Sequence, residues 1–483
     1  MRLLRTRSRF FPALVLLATL ASCNRPREAD PRVISEWMRA LYGIVRAERL
    51  SPPVASRLFA YSSVALYSGL VANDASRPSL AGKLNGLTAL PQPKAGEHYD
   101  PTIMATTATR VVLDSLFREG MATTRSAVNH LSDSIETAQE HLNIGAATVA
   151  SSRELGRLTG LAIVKWAHGD GFDSTRGHKY EIPAGKGLWV NDTPLSNYSA
   201  VSVSAASQLV QPDNPSNLMK SANTSDRALI IDRQKLKNAT LPAANMAGVT
   251  EPFWGSNRPF ALARWDACEA PPPPAYSEDP TSDLYKEAKV VFDTHAALTP
   301  DQKTTALYWA DNGGESGTPA GHWLNIGAQM IAPQRMSAPD AAWMMVATSA
   351  SLADAFIASW GYKFRHNLIR PRTYIRITMD STWEPTIPTP PFPEYLSGHS
   401  TVSSAAAATL TAVLGPVAFD DSTSLFVGHD VRHFANFADA ASQAGMSRIY
   451  GGIHFPSGNV NGQALGRCIA TAVVKRMGIT PRA

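Results

Sequence analysis

After its first two dozen residues the sequence has no uninterrupted apolar run of the ~18 residues that a membrane-spanning helix needs, so the body of the chain is expected outside a bilayer. It has no block of like charge either. Lys and Arg are scattered, and the formal net charge is only +5 in 483 residues. Nucleic acid therefore gains no support as a partner, while an anionic ligand stays open. Cysteine is scarce, at Cys23, Cys268 and Cys468. The last two can pair in an oxidising compartment or lie buried as thiols, and the sequence leaves both open. No alternation of strand and helix patterns occurs, which argues against a parallel α/β sheet. With 44% apolar and 18% charged residues, disorder is not the default and the chain can build a large core.

What is present begins with an export signal. Arg2, Arg5, Arg7 and Arg9 precede an apolar stretch over residues 10–20 that is too short to cross a bilayer. Leu20-Ala21-Ser22-Cys23 then resembles a bacterial lipobox. Residues 1–23 are expected to be a lipoprotein-type signal with Cys23 as the lipidation site, which places the protein in the periplasm or on the outer membrane of a bacterium. A plain secretory signal is the alternative.

From residue 24 to 168 the pattern is helical. Val33, Trp37, Leu41 and Val45 recur at near four-residue spacing, as do Val111, Leu113, Leu116 and Phe117, and the run 131–149 reads as helix. Residues 169–281 are punctuated by Gly, Pro and Asn up to the four prolines at 271–274, which predicts an irregular cover and linker. Residues 282–483 return to helical periodicity, in blocks at 282–311, 339–370, 400–414 and 435–448 and a last helix through Arg476. The expected fold class is all-α, two packed helical bundles with a long irregular insertion.

Three short motifs carry chemistry. In Lys363-Phe-Arg-His-Asn-Leu-Ile-Arg370-Pro371 the seven-residue spacing predicts both cations on one helix face, with Pro371 ending the helix. Pro390-Pro-Phe-Pro-Glu-Tyr-Leu-Ser397-Gly398-His399-Ser400 has a proline-rich lead-in and is followed by a run of small residues. It predicts a helix N-terminus with free amides, a hydroxyl, and a histidine at the lip for acid–base work. In Ser447-Arg448-Ile-Tyr-Gly-Gly452-Ile-His454 a glycine pair lets the chain bend between a cation and a histidine able to act as nucleophile or metal ligand. Taken singly, these are equally a solvated basic helix, a plain cap and a core histidine.

Their joint order and spacing resemble the signature shared by vanadium-dependent haloperoxidases and the related acid and lipid phosphatases. The resemblance runs from about Trp309 to Arg467, with haloperoxidase-like stretches at Glu251-Pro-Phe-Trp-Gly and Gly317-Thr-Pro-Ala-Gly-His-Trp. It implies a vanadate cofactor whose oxygens are held by Lys363, Arg370, Ser397, Gly398 and Arg448, with His454 on the vanadium. It also implies His399 as acid and base, Lys363 polarising peroxide, Asp311 as the acidic partner of Arg448, and Phe392 in the halide pocket, where the chloride-oxidising members carry Phe and bromide-oxidising algal members His. The implied partners are hydrogen peroxide, a halide and an organic acceptor, with the membrane reached only through a lipid anchor.

The motifs alone do not separate a haloperoxidase from a phosphomonoesterase using His454 as nucleophile, or from an exported oxyanion-binding lipoprotein without turnover. The absence of several spanning helices and the long N-terminal half favour the haloperoxidase. So does a departure: Gly458 stands where the family usually has Asp four residues after the ligand histidine, which leaves a backbone carbonyl or Asn459 to orient His454.

Overall fold

In the computed structural model the described residues are 28–191 and 248–482, apart from 119 and 177. The signal with Cys23 and residues 192–247 of the irregular excursion lie outside them.

The first bundle comprises α1 (Arg32–Ala47), α2 (Pro52–Val71), α3 (Pro101–Leu116), α4 (Ala122–Glu140) and α5 (Ala146–His168). Val33, Trp37, Leu41 and Val45 are all buried on α1, as their period requires. Helix α2 is buried on nearly every side because it lies between α3 and the second bundle. The stretch 131–149 is not one helix. It breaks after Glu140, where Asn143 takes a positive φ and Gly145 caps the restart.

The second bundle comprises α6 (Asp283–Ala296), α7 (Pro300–Tyr308), α8 (Thr318–Met330), α9 (Ala338–His366), α10 (Pro371–Thr378), α11 (Gly398–Leu414), α12 (Phe437–Tyr450) and α13 (Pro456–Met477). A small antiparallel pair, β1 (Phe419–Asp421) and β2 (Arg432–Phe434), sits between α11 and α12, with Phe419 opposite Phe434. The block 282–311 divides in two, because Pro300 opens α7 behind a reciprocal Thr299–Gln302 capping box. Helix α9 is long and apolar enough to cross a membrane, yet 94% of its most apolar window is buried, and it packs on both α2 and α11. It is the core helix shared by the two bundles, whose apolar interior is continuous.

Helix α9 ends earlier than the Lys363–Arg370 spacing predicts. Asn367 turns left-handed (φ 46°, ψ 39°), so the helix stops at His366, and Arg370 is extended (φ −84°, ψ 153°) at the start of α10. The two cations thus leave different elements. Pro371 opens a helix instead of closing one, because the residue before a proline avoids the helical region while proline itself suits the first helical turn.

The irregular excursion closes on this break. Trp189 donates its amide to the Asn367 carbonyl at 2.7 Å, Ile369 to that of Gly187 at 3.0 Å, and Leu188 bridges Leu368. Downstream, buried Asp354 of α9 accepts the amides of Phe260, Ala261 and Leu262 at 2.5, 2.9 and 2.8 Å. Cys268, in the linker, forms a disulfide with Cys468 of α13, which resolves the alternatives open from the sequence.

Candidate active site

The three motifs meet where α9, α11 and α12 approach one another. Ser397 is the N-cap of α11, its hydroxyl accepting the Ser400 amide at 3.3 Å, so Gly398 and His399 present the first-turn amides and the positive end of the helix dipole. Arg448 stands in the last turn of α12. Its Nη2 donates to the Trp309 and Ala306 carbonyls at 2.7 and 3.2 Å, and its Nε to the Ser447 hydroxyl at 2.9 Å. Gly452, at φ 75°, lets the chain reverse so that His454 enters just before α13.

These groups border a cavity of about 50 Å³, lined by Gly398, His399, Arg448, His454, Phe392 and Asp311 among others. That volume holds a few water-sized groups, the size of one tetrahedral oxyanion and not of a large organic molecule. Arg370 and Ser397 stand immediately behind the wall, fully buried. Arg370 donates to the Phe392 and Ile453 carbonyls at 2.9 and 2.8 Å and approaches His454 Nε2 at 3.3 Å. Phe392 packs under two cations, with Lys363 and Arg370 at 5.1 and 4.9 Å from its ring centre.

Two expectations change. Lys363 does not line the cavity. Its ammonium donates to the carbonyls of Pro393, Glu394 and Leu396, which uses its three protons, so it acts on the site through charge and by holding the 393–396 turn. Asp311 borders the cavity but does not pair with Arg448. Both its oxygens lie 3.0 Å from His322 Nδ1, and His322 Nε2 is 2.8 Å from Asp421, which also accepts from the Tyr308 hydroxyl at 2.6 Å. His322 stacks on Trp309 at 4.5 Å. An imidazole between two carboxylates satisfies Asp311 better than Arg448, whose Nη2 and Nε are bonded to carbonyls and to the Ser447 hydroxyl while the guanidinium still borders the cavity. The sign of His322 in the sequence is the Gly-His-Trp of the haloperoxidase-like stretch that starts at Gly317.

The orienting partner of His454 is neither Asn459 nor a backbone carbonyl. It is Glu394, whose Oε1 lies 2.7 Å from His454 Nδ1 and accepts the Phe455 amide at 3.0 Å. Asn459 is engaged with Ser400 and Gln463. The reason for favouring halide oxidation that rested on Gly458 is thereby removed, because His454 does have a carboxylate behind it.

The electrostatics follow from burial. Burial, then Arg370 and Lys363, hold His454 well below the ordinary imidazole range, and burial, then Arg448, does the same to His399, so both rings are neutral. Burial pushes Glu394 up to about 7 despite Lys363 and Arg370, and brings Arg448 down to about 10. With Nδ1 facing Glu394, the lone pair of His454 sits on Nε2. His399 Nε2 is buried without a hydrogen-bond partner among the described residues.

An orphaned buried nitrogen, a second nitrogen with its lone pair fixed, two guanidiniums and a helix N-terminus fit a tetrahedral or trigonal-bipyramidal oxyanion held by one nitrogen ligand. Among the described residues no group of three or more His, Cys, Asp or Glu could hold a bare metal ion. Fold and site define a helical oxyanion-binding protein.

The comparisons narrow that class. Residues 343–479, from within α9 to the end of α13, match the family model of the VCPO second helical-bundle domain. The fold is similar to the crystal structure of the first bacterial vanadium-dependent iodoperoxidase, with TM-score 0.77 and 30% sequence identity over 95% of this chain and 99% of that one. It is also similar to the apo and holo forms of a bacterial vanadium-dependent chloroperoxidase. There TM-scores are 0.57 and 0.55, identities 13% and 15%, and coverage 88% and 89% of this chain and 93% of each of those; at such identity only the fold is shared. No curated protein matches. The chain belongs to the vanadium-dependent haloperoxidases: an enzyme of the peroxidase type that uses vanadate, hydrogen peroxide and a halide.

Proposed function

We propose that this haloperoxidase turns over at the His399–His454 cavity and prefers iodide. The observation that carries the site is the pair of neutral histidines on one oxyanion-sized cavity, with the lone pair of His454 fixed by Glu394. In this reading His454 Nε2 would ligate vanadium, and Arg370, Arg448, the Ser397 hydroxyl and the Gly398 amide would hold the oxygens of vanadate. Vanadate supplies a Lewis acid that makes hydrogen peroxide electrophilic toward halide. His399 Nε2, neutral and at the cavity, would accept a proton from hydrogen peroxide and hand it on as general base and then acid, for which a neutral ring is the required form. Burial, then Arg370, pull Lys363 well below the ordinary lysine range, while the three carbonyls that accept from it favour the ammonium form, in which it raises the positive potential felt by the oxyanion.

Iodide is favoured by the related iodoperoxidase fold and by the cavity wall. Phe356, Trp360, Pro390 and Phe392 make one side apolar, and the large, weakly hydrated iodide loses less solvation there than chloride. The Phe392 position would instead suit chloride by family resemblance. Measured kcat/KM for iodide, bromide and chloride decides between them: iodide should lead, and chloride oxidised as well as iodide would overturn the preference.

We also propose that the protein is exported and anchored through Cys23. The arginine-led apolar stretch and lipobox support this, as does a Cys268–Cys468 disulfide, which persists in an oxidising compartment. Cys23→Ser should release the protein from the membrane fraction, and unchanged partitioning would refute the anchor.

A further inference from the structure

Glu394 lies in the proline-rich lead-in of the second motif, where the sequence assigns it no role, and it is fully buried at the centre of the site. It sits in the short turn 393–396 whose carbonyls cage Lys363, and one oxygen, Oε1, serves both the His454 ring and the Phe455 amide. On its far side is Gly458, in the first turn of α13. A Cβ built on Gly458 would collide with Glu394 Oε1 and press tightly on Oε2 at 3.0 Å. The Glu394 carboxylate and a side chain at position 458 therefore compete for one volume. The Gly458 carbonyl also accepts the Ser397 amide at 3.0 Å, which fixes that turn against the start of α11.

We propose that Glu394 is the positioning residue of His454 and that Glu394 and Gly458 form one exchangeable unit. The site needs a carboxylate at this point in space, and here it enters from the 393–396 turn because position 458 is empty of side chain. The inference rests on reading His454 as the vanadate ligand. A carboxylate on Nδ1 fixes the tautomer, turns the ring so that Nε2 faces the cavity, and makes that nitrogen a stronger donor. A glutamine at 394 keeps the shape and loses the charge. An alanine loses both and opens room for a longer residue at 458.

The test uses the purified full chain and orthovanadate itself. Bound vanadate is measured by equilibrium dialysis, and folding by thermal melting without vanadate, for wild type, Glu394→Gln, Glu394→Ala, Gly458→Asp and the Glu394→Ala/Gly458→Asp double variant. The near-isosteric Glu394→Gln should weaken binding about tenfold and Glu394→Ala by up to about 100-fold, the range typical of a partner behind a metal ligand. Gly458→Asp alone should melt below wild type, since its side chain meets Glu394. The double variant should regain both the melting temperature and, within about threefold, the vanadate affinity. Glu394→Ala binding vanadate as tightly as wild type would overturn the inference, as would a folded double variant binding no better than Glu394→Ala. Wild type that binds no vanadate would instead overturn the assignment of His454, a distinct outcome.

Discussion

The two histidines of the site are distinguished by what stands behind them. His454 has a carboxylate on Nδ1, which suits a ligand, and His399 has an Nε2 at the cavity without a partner among the described residues, which suits proton transfer. His454→Ala should abolish vanadate binding in dialysis, whereas His399→Ala should retain it and lose at least about 100-fold in kcat, the usual contribution of a general acid–base. Full activity in either variant contradicts the division. His322 makes a separate prediction. Burial alone would lower it, but Asp311 and Asp421 on its two nitrogens raise it to about 10, against roughly 6.5 when unfolded. A raised folded-state value stabilises the protein fully below about 6.5, and that stabilisation is lost as pH rises through about 10. Melting temperature should fall across this window, and His322→Gln should flatten the fall; an equal slope in both proteins would argue against a charged His322. Much of this scale was legible: Ser397, Gly398, His399, Arg448 and His454 converge as their motifs imply. Glu394 was not, because a lone glutamate in a proline-rich turn has no local signature. The glycine at 458 was its only trace, marking a space that something else fills. Asp311 acts on Arg448 through charge but pairs directly with His322, because sequence shows a carboxylate and a guanidinium but not the histidine that reaches one of them first.

At the scale of elements, the break between α9 and α10 shapes the site. Had the helix run on to Arg370, both cations would project from one face. Instead Asn367 turns the chain, its amide bonded to the Lys363 carbonyl and its side chain to the Phe364 carbonyl and the Tyr180 hydroxyl. Arg370 is then delivered from an extended segment beside His454 while Lys363 stays in the helix. Asn followed four residues later by proline was the available signal for this stop, and the strong periodicity of α9 outweighed it. Asn367→Ala should cost about 1–2 kcal/mol for the left-handed backbone, plus the lost contact to the cover, and Asn367→Gly should cost less. Chemical denaturation of the two variants checks the order, and the reverse order would show that the side-chain contacts dominate. The all-α class and most helix positions were readable from period alone. The splits at Pro300 and at residues 141–145 were missed because apolar spacing continues across short turns.

At the scale of the molecule, the two bundles share one core through α9, and the irregular excursion is tied to the second bundle by Asp354 and by the Cys268–Cys468 disulfide. That bond closes a loop of sequence separation 200. Cys268→Ala/Cys468→Ala should lower unfolding stability by about 2–5 kcal/mol, and reductant should do the same to wild type. A melting temperature unmoved by either would place the stability elsewhere. Whether this architecture serves halide oxidation is tested most directly by reconstitution. Apoprotein is titrated with orthovanadate and assayed for peroxide-dependent halide oxidation, beside hydrolysis of an aryl phosphate. Halide oxidation that rises with vanadate, saturates at one equivalent and vanishes in His454→Ala is the expected result. Phosphate-ester cleavage without vanadate-dependent halide oxidation would contradict it.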